Sequence, residues 1–285
     1  MPLPDNLHMR VASAPDLAGI AALRESVGWT AHDWALRAVL EVPDARCLVV
    51  ETPEGIAGVG SGISYGALGF VGNMIVTEAH RRRGIGAAIL ETILEFLIDE
   101  RGAGRVELFA TPSGRPLYSR YGFELTDPSV LVSLPRSAVL EEDPAVDVEE
   151  CGDLGELAAY DAPRFGGDRL RLLRMMADDP QRPLLVARQA EMTVGYAWLR
   201  ADGPRVGPFV ADAPAVAATL LAEAFRRVPE AEELSLNLPT AKGPGARWLR
   251  ELGMELEAWD GRMARGPQIP RRDEAIYANL VGALG

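Results

Sequence analysis

The chain contains an internal repeat, and this repeat constrains the fold more than any other feature of its 285 residues. Residues 9–23 (MRVASAPDLAGIAAL) align with residues 146–160 (VDVEECGDLGELAAY) at an offset of 137, which also places Gly58 on Gly195. Residues 114–125 (GRPLYSRYGFEL) align with residues 245–256 (GARWLRELGMEL) at an offset of 131. A repeat of about 140 residues is long enough to bury a core of its own. We therefore predict two copies of one fold that differ by six residues in their middle.

The two copies are expected to form separate domains. Residues 135–144 (PRSAVLEEDP) combine an acidic run with two prolines, which is typical of a linker. We predict domains over residues 1–136 and 146–285, joined by a linker over residues 137–145.

Each copy is predicted to alternate strands and helices. In the first copy, Val11 begins a strand, and Ser13-x-x-Asp16 forms a capping box that opens a helix over residues 15–27. Apolar runs and amphipathic periodicity predict the following elements. They are strands at 47–51, 58–65, 70–76 and 106–110, and helices at 84–101 and 113–121.

The charge of the chain narrows its classes of partner. The net charge of −12 argues against nucleic acid, because neutralising phosphates requires a basic surface. Residues 1–140 carry 12 basic and 16 acidic side chains, whereas residues 141–285 carry 17 and 25. We therefore expect the first half to hold any anionic ligand.

Membrane association and metal binding are not expected. No run of about 18 apolar residues occurs, and residues 1–5 lack the pattern of a secretory signal, which predicts a cytoplasmic protein. Cys47 and Cys151 lie 104 residues apart, and the three histidines show no metal-ligand spacing. We expect no metal and no disulfide.

The most informative stretch is an apolar strand, a basic loop with two glycines, and a helix, over residues 70–90 (FVGNMIVTEAHRRRGIGAAIL). The unpaired N–H groups of a helix N-terminus favour anions, and glycines allow an anion to approach the backbone closely. The loop fits a phosphate cradle, although it is neither a Walker loop nor G-x-G-x-x-G. Taken alone, the arginines are equally consistent with a solvated charge patch, and the glycines with an ordinary helix start.

Two motifs in this order resemble the GNAT superfamily of N-acetyltransferases. Arg81-Arg-Arg-Gly84-Ile-Gly86 matches the R/Q-x-x-G-x-G/A motif between a strand and a helix, and residues 118–123 (YSRYGF) match the later Tyr-x-x-x-Gly-Phe motif. The resemblance implies an α/β (α+β) fold with a mixed, mostly antiparallel central sheet flanked by helices, present here as two tandem GNAT-like domains. It also implies acetyl-CoA as co-substrate.

The resemblance assigns roles to residues of the first copy. Backbone N–H groups from Arg82 to Ala87 would hold the pyrophosphate of acetyl-CoA, and the amide of Ile75 or Val76 would face the acetyl carbonyl. Tyr118 would protonate the departing thiolate, or alternatively pack beneath the cofactor. The expected cofactor-binding residues are Met74, Ile75, Val76, Arg81, Arg82, Arg83, Gly84, Ile85, Gly86, Ala87 and Tyr118; the expected catalytic residues are Tyr118 and Val76.

The second copy lacks the residues that are expected to bind acetyl-CoA. Aligning Val76 with Ala211 leaves six residues (212–217) where the first copy has ten, and the missing part is the arginine-glycine loop. Tyr118 corresponds to Leu249, which cannot donate a proton. The whole chain resembles GNAT proteins with an inactive second domain, through residues 160–169 (YDAPRFGGDR), the strand that begins at Gly207-Pro208, and residues 262–266 (RMARG). The charged residues of the segment 160–169 are expected either to face the acceptor or the domain interface, or to form salt bridges within the domain. They are Asp161, Arg164, Asp168 and Arg169.

The sequence says less about the residues that bind and deprotonate the acceptor amine. Trp29, Asp33 and Trp34 occupy the region that shapes the acceptor pocket in GNAT enzymes, although core packing also explains the tryptophans. A general base or a water wire is required to deprotonate the amine, and Glu25, Asp33 and Glu107 are the candidate bases. Nothing near Cys47 in sequence supports a thiol nucleophile.

These features predict an acetyl-CoA-dependent N-acetyltransferase in which an amine attacks the thioester directly within a ternary complex. The first domain would be catalytic and the second degenerate. The partner would be a small-molecule or peptide amine, and the oligomeric state is left open. The alternative is a non-catalytic, acyl-CoA-binding regulatory module.

Overall fold

The chain forms two compact units. The computed structural model describes residues 7–29, 33–178, 183–200, 203–280 and 282–285. Unit 1 comprises residues 1–124, 263–269 and 282–285, and unit 2 comprises residues 125–262 and 270–281. Unit 1 therefore includes two short segments from late in the sequence.

Unit 1 contains a sheet with the strand order β1-β2-β3-β4-β5. Neighbouring strands are antiparallel except β4 and β5, which run parallel. Its elements are β1 (His8–Val11), α1 (Leu17–Glu25), α2 (Asp33–Glu41), β2 (Ala45–Thr52), β3 (Gly55–Ser64), β4 (Leu68–Val76), α3 (Ile85–Leu94), β5 (Arg105–Ala110) and α4 (Arg115–Arg120). The predicted strands and helices are present, but the prediction that Val11 begins a strand was wrong, because β1 ends there.

The predicted capping box opens a 3-10 turn over Ala14–Asp16, which leads directly into α1. The Asp16 carboxylate accepts hydrogen bonds from the Ser13 backbone N–H (2.7 Å) and hydroxyl (3.1 Å). Arg10 donates to both oxygens of the same carboxylate, at 2.7 and 2.8 Å. These bonds hold the pKa of Asp16 well below its usual range, chiefly through Arg10.

Glycines in β3 allow α3 to pack closely against the sheet. A Cβ atom at Gly58 would lie 2.9 Å from Ile85, and one at Gly62 would lie 2.7 Å from Ile93. The α3 isoleucines are buried, and each contributes about 1.5–3 kcal/mol by leaving water. The helix continues as a π-helix over Glu95–Glu100 and ends near Gly102, which has a φ of 72°.

Unit 2 contains a sheet with the strand order β6-β11-β10-β9-β8-β7, and β13 pairs with β10. Its elements are β6 (Glu124–Pro135), β7 (Asp147–Glu150), α5 (Leu154–Phe165), α6 (Leu170–Ala177), β8 (Leu184–Gln189), β9 (Met192–Arg200), β10 (Arg205–Ala211), α7 (Pro214–Arg227), β11 (Glu233–Leu238), α8 (Pro244–Glu251), β12 (Glu257–Arg265) and β13 (Ile276–Ala278). Two elements cross unit boundaries: β6 begins at the last residue of the first unit 1 segment, and β12 ends in unit 1.

The two sheets repeat one another in detail. Gly58 pairs with Val76 in unit 1, and Gly195 pairs with Ala211 in unit 2, as the alignment requires. A Cβ atom at Gly195 would lie 2.9 Å from Leu220 of α7, as one at Gly58 would approach Ile85 and Ile89 of α3. The duplication and the mixed, mostly antiparallel sheet flanked by helices are thus confirmed.

Candidate active site

The sheet of unit 1 opens between its two parallel strands. The paired positions of β4 and β5 run from Leu68–Arg105 to Phe70–Glu107. Beyond Phe70, β4 continues to Val76 while it remains paired with β3 on its other edge. The predicted residues Met74, Ile75 and Val76 lie on this part of β4. The Ala283 backbone packs against Gly72 near the start of this stretch, so the backbone groups available to a ligand on the β5 side are those nearer its end, in Met74–Val76.

The basic loop leads from β4 into α3. Arg81 donates from Nε to the Val76 carbonyl (3.2 Å), whereas Arg82 has a φ of 61°. The side chains of Arg81, Arg82 and Arg83 are exposed to solvent. Gly84 has a φ of 83°, which favours glycine, and occupies the N-cap position of α3. Three exposed arginines thus directly precede the positive end of a helix.

The first turn of α3 presents free N–H groups in the manner expected of an anion site. The Ala88 amide donates to the Gly84 carbonyl (2.9 Å), and the N–H groups before it have no partner within the helix. A Cβ atom at Gly86 would lie 3.4 Å from Leu117 and 3.8 Å from Val76, so this glycine lies at the end of β4 beside α4. The predicted loop residues are therefore adjacent to Met74–Val76, and together they fit a phosphate group followed by an extended chain.

Tyr118 lies on α4, the short helix that follows β5. Its side chain is 6% exposed, and its ring contacts Phe123 edge-on with a centroid distance of 6.1 Å. The Phe123 amide donates to the Tyr118 carbonyl (3.2 Å), and Gly122 between them has a φ of 79°. The Tyr-x-x-x-Gly-Phe motif is thus a helix terminus that fixes Tyr118 against the core of unit 1.

The candidate bases are in different environments. Glu107 is 1% exposed and accepts a 2.5 Å hydrogen bond from Arg105, so its carboxylate forms a buried ion pair. Glu25 is exposed at the last residue of α1. Asp33 begins α2, but its side chain lies outside what the structure describes.

The predicted tryptophans and the Cys47 thiol differ in their exposure to solvent. Trp29 is half-buried, and the Arg24 guanidinium lies 5.6 Å from its ring centroid. Trp34 is half-buried on α2. Cys47 is 1% exposed in β2, where burial raises the pKa of its thiol to about 12. A thiol held protonated in this way is a poor nucleophile, which agrees with the absence of a predicted thiol role.

Comparison with known proteins assigns the family. Residues 43–125 match one family model described as an acetyltransferase (GNAT) domain, and residues 157–278 match a second model of the same description. The chain belongs to the GNAT acetyltransferases. It is a tandem GNAT protein and an acyltransferase enzyme, as its two motifs predicted.

Individual relatives agree with this family. The GNAT chain is 28% identical to the uncharacterized N-acetyltransferase YitH of Bacillus subtilis over 230 residues. This alignment covers 78% of each protein. A crystal structure of a Pyrococcus horikoshii protein matches with a TM-score of 0.80 and 24% identity, covering 100% of this chain and 98% of that one. A tandem GNAT protein from the clavulanic acid biosynthesis pathway matches with a TM-score of 0.63 and 15% identity, covering 92% and 99%. These two structures show that the fold is shared.

The second GNAT domain has no counterpart of the arginine loop. In unit 2, β10 ends at Ala211 and α7 begins at Pro214, whereas Val76 and Ile85 are separated by eight residues in unit 1. Leu249, at the position of Tyr118, is fully buried on α8.

A strand of the chain itself fills the second opening. The β10–β11 pairs Arg205–Ser235 and Val206–Leu236 end where β13 begins to pair with β10. In this register Phe209 and Val210, which correspond to Met74 and Ile75, pair with Ala278 and Ile276. The sequence analysis missed β13, because a three-residue strand leaves no periodic signal.

Charged residues of α5 and of the start of α6 form two salt bridges within unit 2. Arg169 donates to both oxygens of Asp161, at 2.7 and 2.9 Å, and the Tyr196 hydroxyl donates to Asp161 at 2.6 Å. Arg164 donates to both oxygens of Asp212, at 2.7 and 2.8 Å. At Asp161, Arg164 and Arg169 the structure contains salt bridges within the domain, whereas Asp168 accepts a hydrogen bond from a backbone amide at 2.8 Å.

No helix in the described part of the chain is long and apolar enough to cross a membrane. Among the same residues, no group of three or more His, Cys, Asp and Glu side chains is arranged to hold a metal ion.

Proposed function

We propose that unit 1 transfers the acetyl group of acetyl-CoA to a primary amine by direct attack within a ternary complex. The observation that supports this most is that β4, within the described residues, pairs with β5 only as far as Phe70, and that its end lies beside the free N–H groups at the start of α3. In the reaction, the amine nitrogen bonds to the acetyl carbon and the carbon–sulfur bond breaks. The nitrogen loses a proton to a base or water, and the departing thiolate gains one.

The cofactor-binding residues are proposed to act in two groups. Backbone N–H groups from Arg82 to Ala87 would donate to the pyrophosphate, while the three arginine side chains offset its negative charge. The pantetheine arm would lie along Met74–Val76. An amide of Ile75 or Val76 would donate to the thioester carbonyl and stabilise the oxyanion that forms when the amine attacks.

Tyr118 is proposed as the general acid. A phenol with a pKa near 10 is protonated at pH 7, and it can donate to a thiolate whose conjugate acid has a pKa of about 8.5. Its position on α4, against the core, supports this role over that of an exposed surface residue.

Replacing Tyr118 by Phe tests this role, because only the hydroxyl is lost. Acetyl transfer to the best acceptor from a panel of primary amines should fall about 100-fold or more, while the Kd for acetyl-CoA stays within twofold. Unchanged kcat in the folded variant would show that Tyr118 only packs beneath the cofactor.

We further propose that unit 1 is the catalytic domain and that unit 2 is a degenerate domain that binds no CoA. The units differ from the predicted domains over residues 1–136 and 146–285 and from the predicted linker over residues 137–145, because β6 pairs with β11 in unit 2 and residues 263–269 and 282–285 belong to unit 1. The short β10–α7 connection and the strand β13 support this assignment for the second domain. Trp29, Asp33 and Trp34 are proposed to line the site of a small-molecule or peptide amine.

A further inference from the structure

A buried polar side chain lies in β4 two residues before the proposed oxyanion donors. Asn73 is 3% exposed and has a φ of 55°, a conformation that Asn and Asp tolerate better than other non-glycine residues. The strand pairing shifts at the same place. Val59 pairs with Ile75 and Ser61 pairs with Gly72, so Asn73 and its neighbour Met74 lie opposite one residue of β3. This arrangement is a β-bulge.

The Asn73 side chain is held at both ends. Its Oδ1 accepts a hydrogen bond from Arg24, and its Nδ2 donates to the Ser61 hydroxyl at 2.9 Å. Ser61 is 1% exposed on β3. An amide with both ends engaged has one orientation, because a flipped amide would place donor against donor at Arg24. The side chain therefore fixes the bulge from both α1 and β3.

Arg24 connects this point to the acceptor side of unit 1. It lies in the last turn of α1, where burial lowers the pKa of its guanidinium. Its guanidinium also stacks near the Trp29 ring. A half-buried cation and a left-handed residue are both costly, and a sheet strand needs neither for its own stability.

We propose that Asn73 is a positioning residue, which holds the bulge so that the amides of Ile75 and Val76 face the opening between β4 and β5. This inference rests on the proposed function, since it concerns the donor to the acetyl carbonyl. A bulge turns the strand locally and changes which edge each following amide faces. Loss of the Asn73 contacts should therefore weaken the contact to the acetyl group and leave the α3 cradle unaffected.

Three variants distinguish the contribution of the Asn73 side-chain contacts from that of its backbone conformation. Asn73→Asp keeps an acceptor for Arg24 and the tolerance for positive φ. Asn73→Gly keeps only the backbone freedom, and Asn73→Ala keeps neither. Tyr65→Phe serves as a control, because it removes a different buried hydrogen bond of unit 1, to the Leu284 carbonyl.

The readout is the ¹³C signal of [1-¹³C]acetyl-CoA bound to the full chain, together with the Kd values of acetyl-CoA and CoA from calorimetry. A donor to the thioester carbonyl shifts that signal from its free position. We expect Asn73→Gly and Asn73→Ala to lose most of this shift and to weaken acetyl-CoA binding about 3- to 10-fold, the range for one hydrogen bond, with CoA binding unchanged. Asn73→Asp and Tyr65→Phe should behave like the wild type.

The outcomes distinguish the inference from the proposed function. If the wild type binds neither acetyl-CoA nor CoA, the proposed function fails. If the wild type binds acetyl-CoA with a shifted signal and Asn73→Gly shows the same shift, the positioning role is overturned while the function stands. Should Asn73→Ala fail to fold, the comparison of Asn73→Gly with Asn73→Asp decides the question.

Discussion

Arg83 offers the sharpest test of the proposed phosphate cradle, because reversing its charge should change stability and binding in opposite directions. Arg83 is exposed and directly precedes Gly84, the N-cap residue of α3. A carboxylate near the positive end of a helix stabilises it by about 0.3–1 kcal/mol, whereas an arginine there does not. Arg83→Glu should therefore unfold at the same or slightly higher denaturant concentration than the wild type.

Binding should respond in the other direction. If the arginine side chains offset the charge of the pyrophosphate, Arg83→Glu removes a hydrogen bond to a charged group and adds a carboxylate that repels it. The lost bond alone is worth about 1.5–3 kcal/mol, so CoA affinity should fall by about 10-fold or more. Urea denaturation and calorimetry with CoA measure the two effects on one preparation. A variant that keeps its stability and binds CoA as the wild type does would show that Arg83 belongs only to a solvated charge patch.

Three further predictions concern the rest of the molecule. CoA should bind with a stoichiometry of one per chain by calorimetry, because β13 occupies the opening of unit 2; two sites would refute this account. Glu107→Ala should destabilise the protein by about 3–5 kcal/mol, since it leaves the buried Arg105 cation without its carboxylate; an inactive variant with wild-type stability would instead indicate a base. The lowered pKa of Asp16 contributes stability that is present above its unfolded pKa of about 4 and is lost as the pH falls through the folded value. Asp16→Asn should therefore be less stable at pH 7 and show a flatter loss of stability below about pH 4 in acid titrations followed by circular dichroism; equal slopes would contradict the role of Asp16.

The internal repeat made most of the fold predictable. The strand β4 and the helix α3 were located within two residues at their starts, because each carries an apolar pattern of the right period. The alignment of Gly58 with Gly195 also held in three dimensions, because both glycines must admit a helix close to the sheet. The boundary of β1 was wrong, since a four-residue edge strand has little pattern of its own.

The candidate site was only partly predictable. The arginine-glycine loop and Tyr118 are consecutive motifs and could be found by inspection. Glu107 was one of three candidate bases, and only the structure shows its pairing with Arg105. Asn73 carried no signal, because its importance depends on Arg24 and Ser61, which lie 49 and 12 residues away.

The sequence by itself determined that this chain is a duplicated GNAT protein with one arginine-glycine loop, because motifs and repeats are local patterns that survive without knowledge of contacts. The tertiary structure decided where the sheet opens, which acidic side chain is committed to an ion pair, and which strand fills the second opening. These depend on strand register and on partners distant in the sequence. The extra residue at Asn73 shifts the register of β4 by one and so changes the side to which the following backbone groups point. Neither composition nor periodicity predicts this shift.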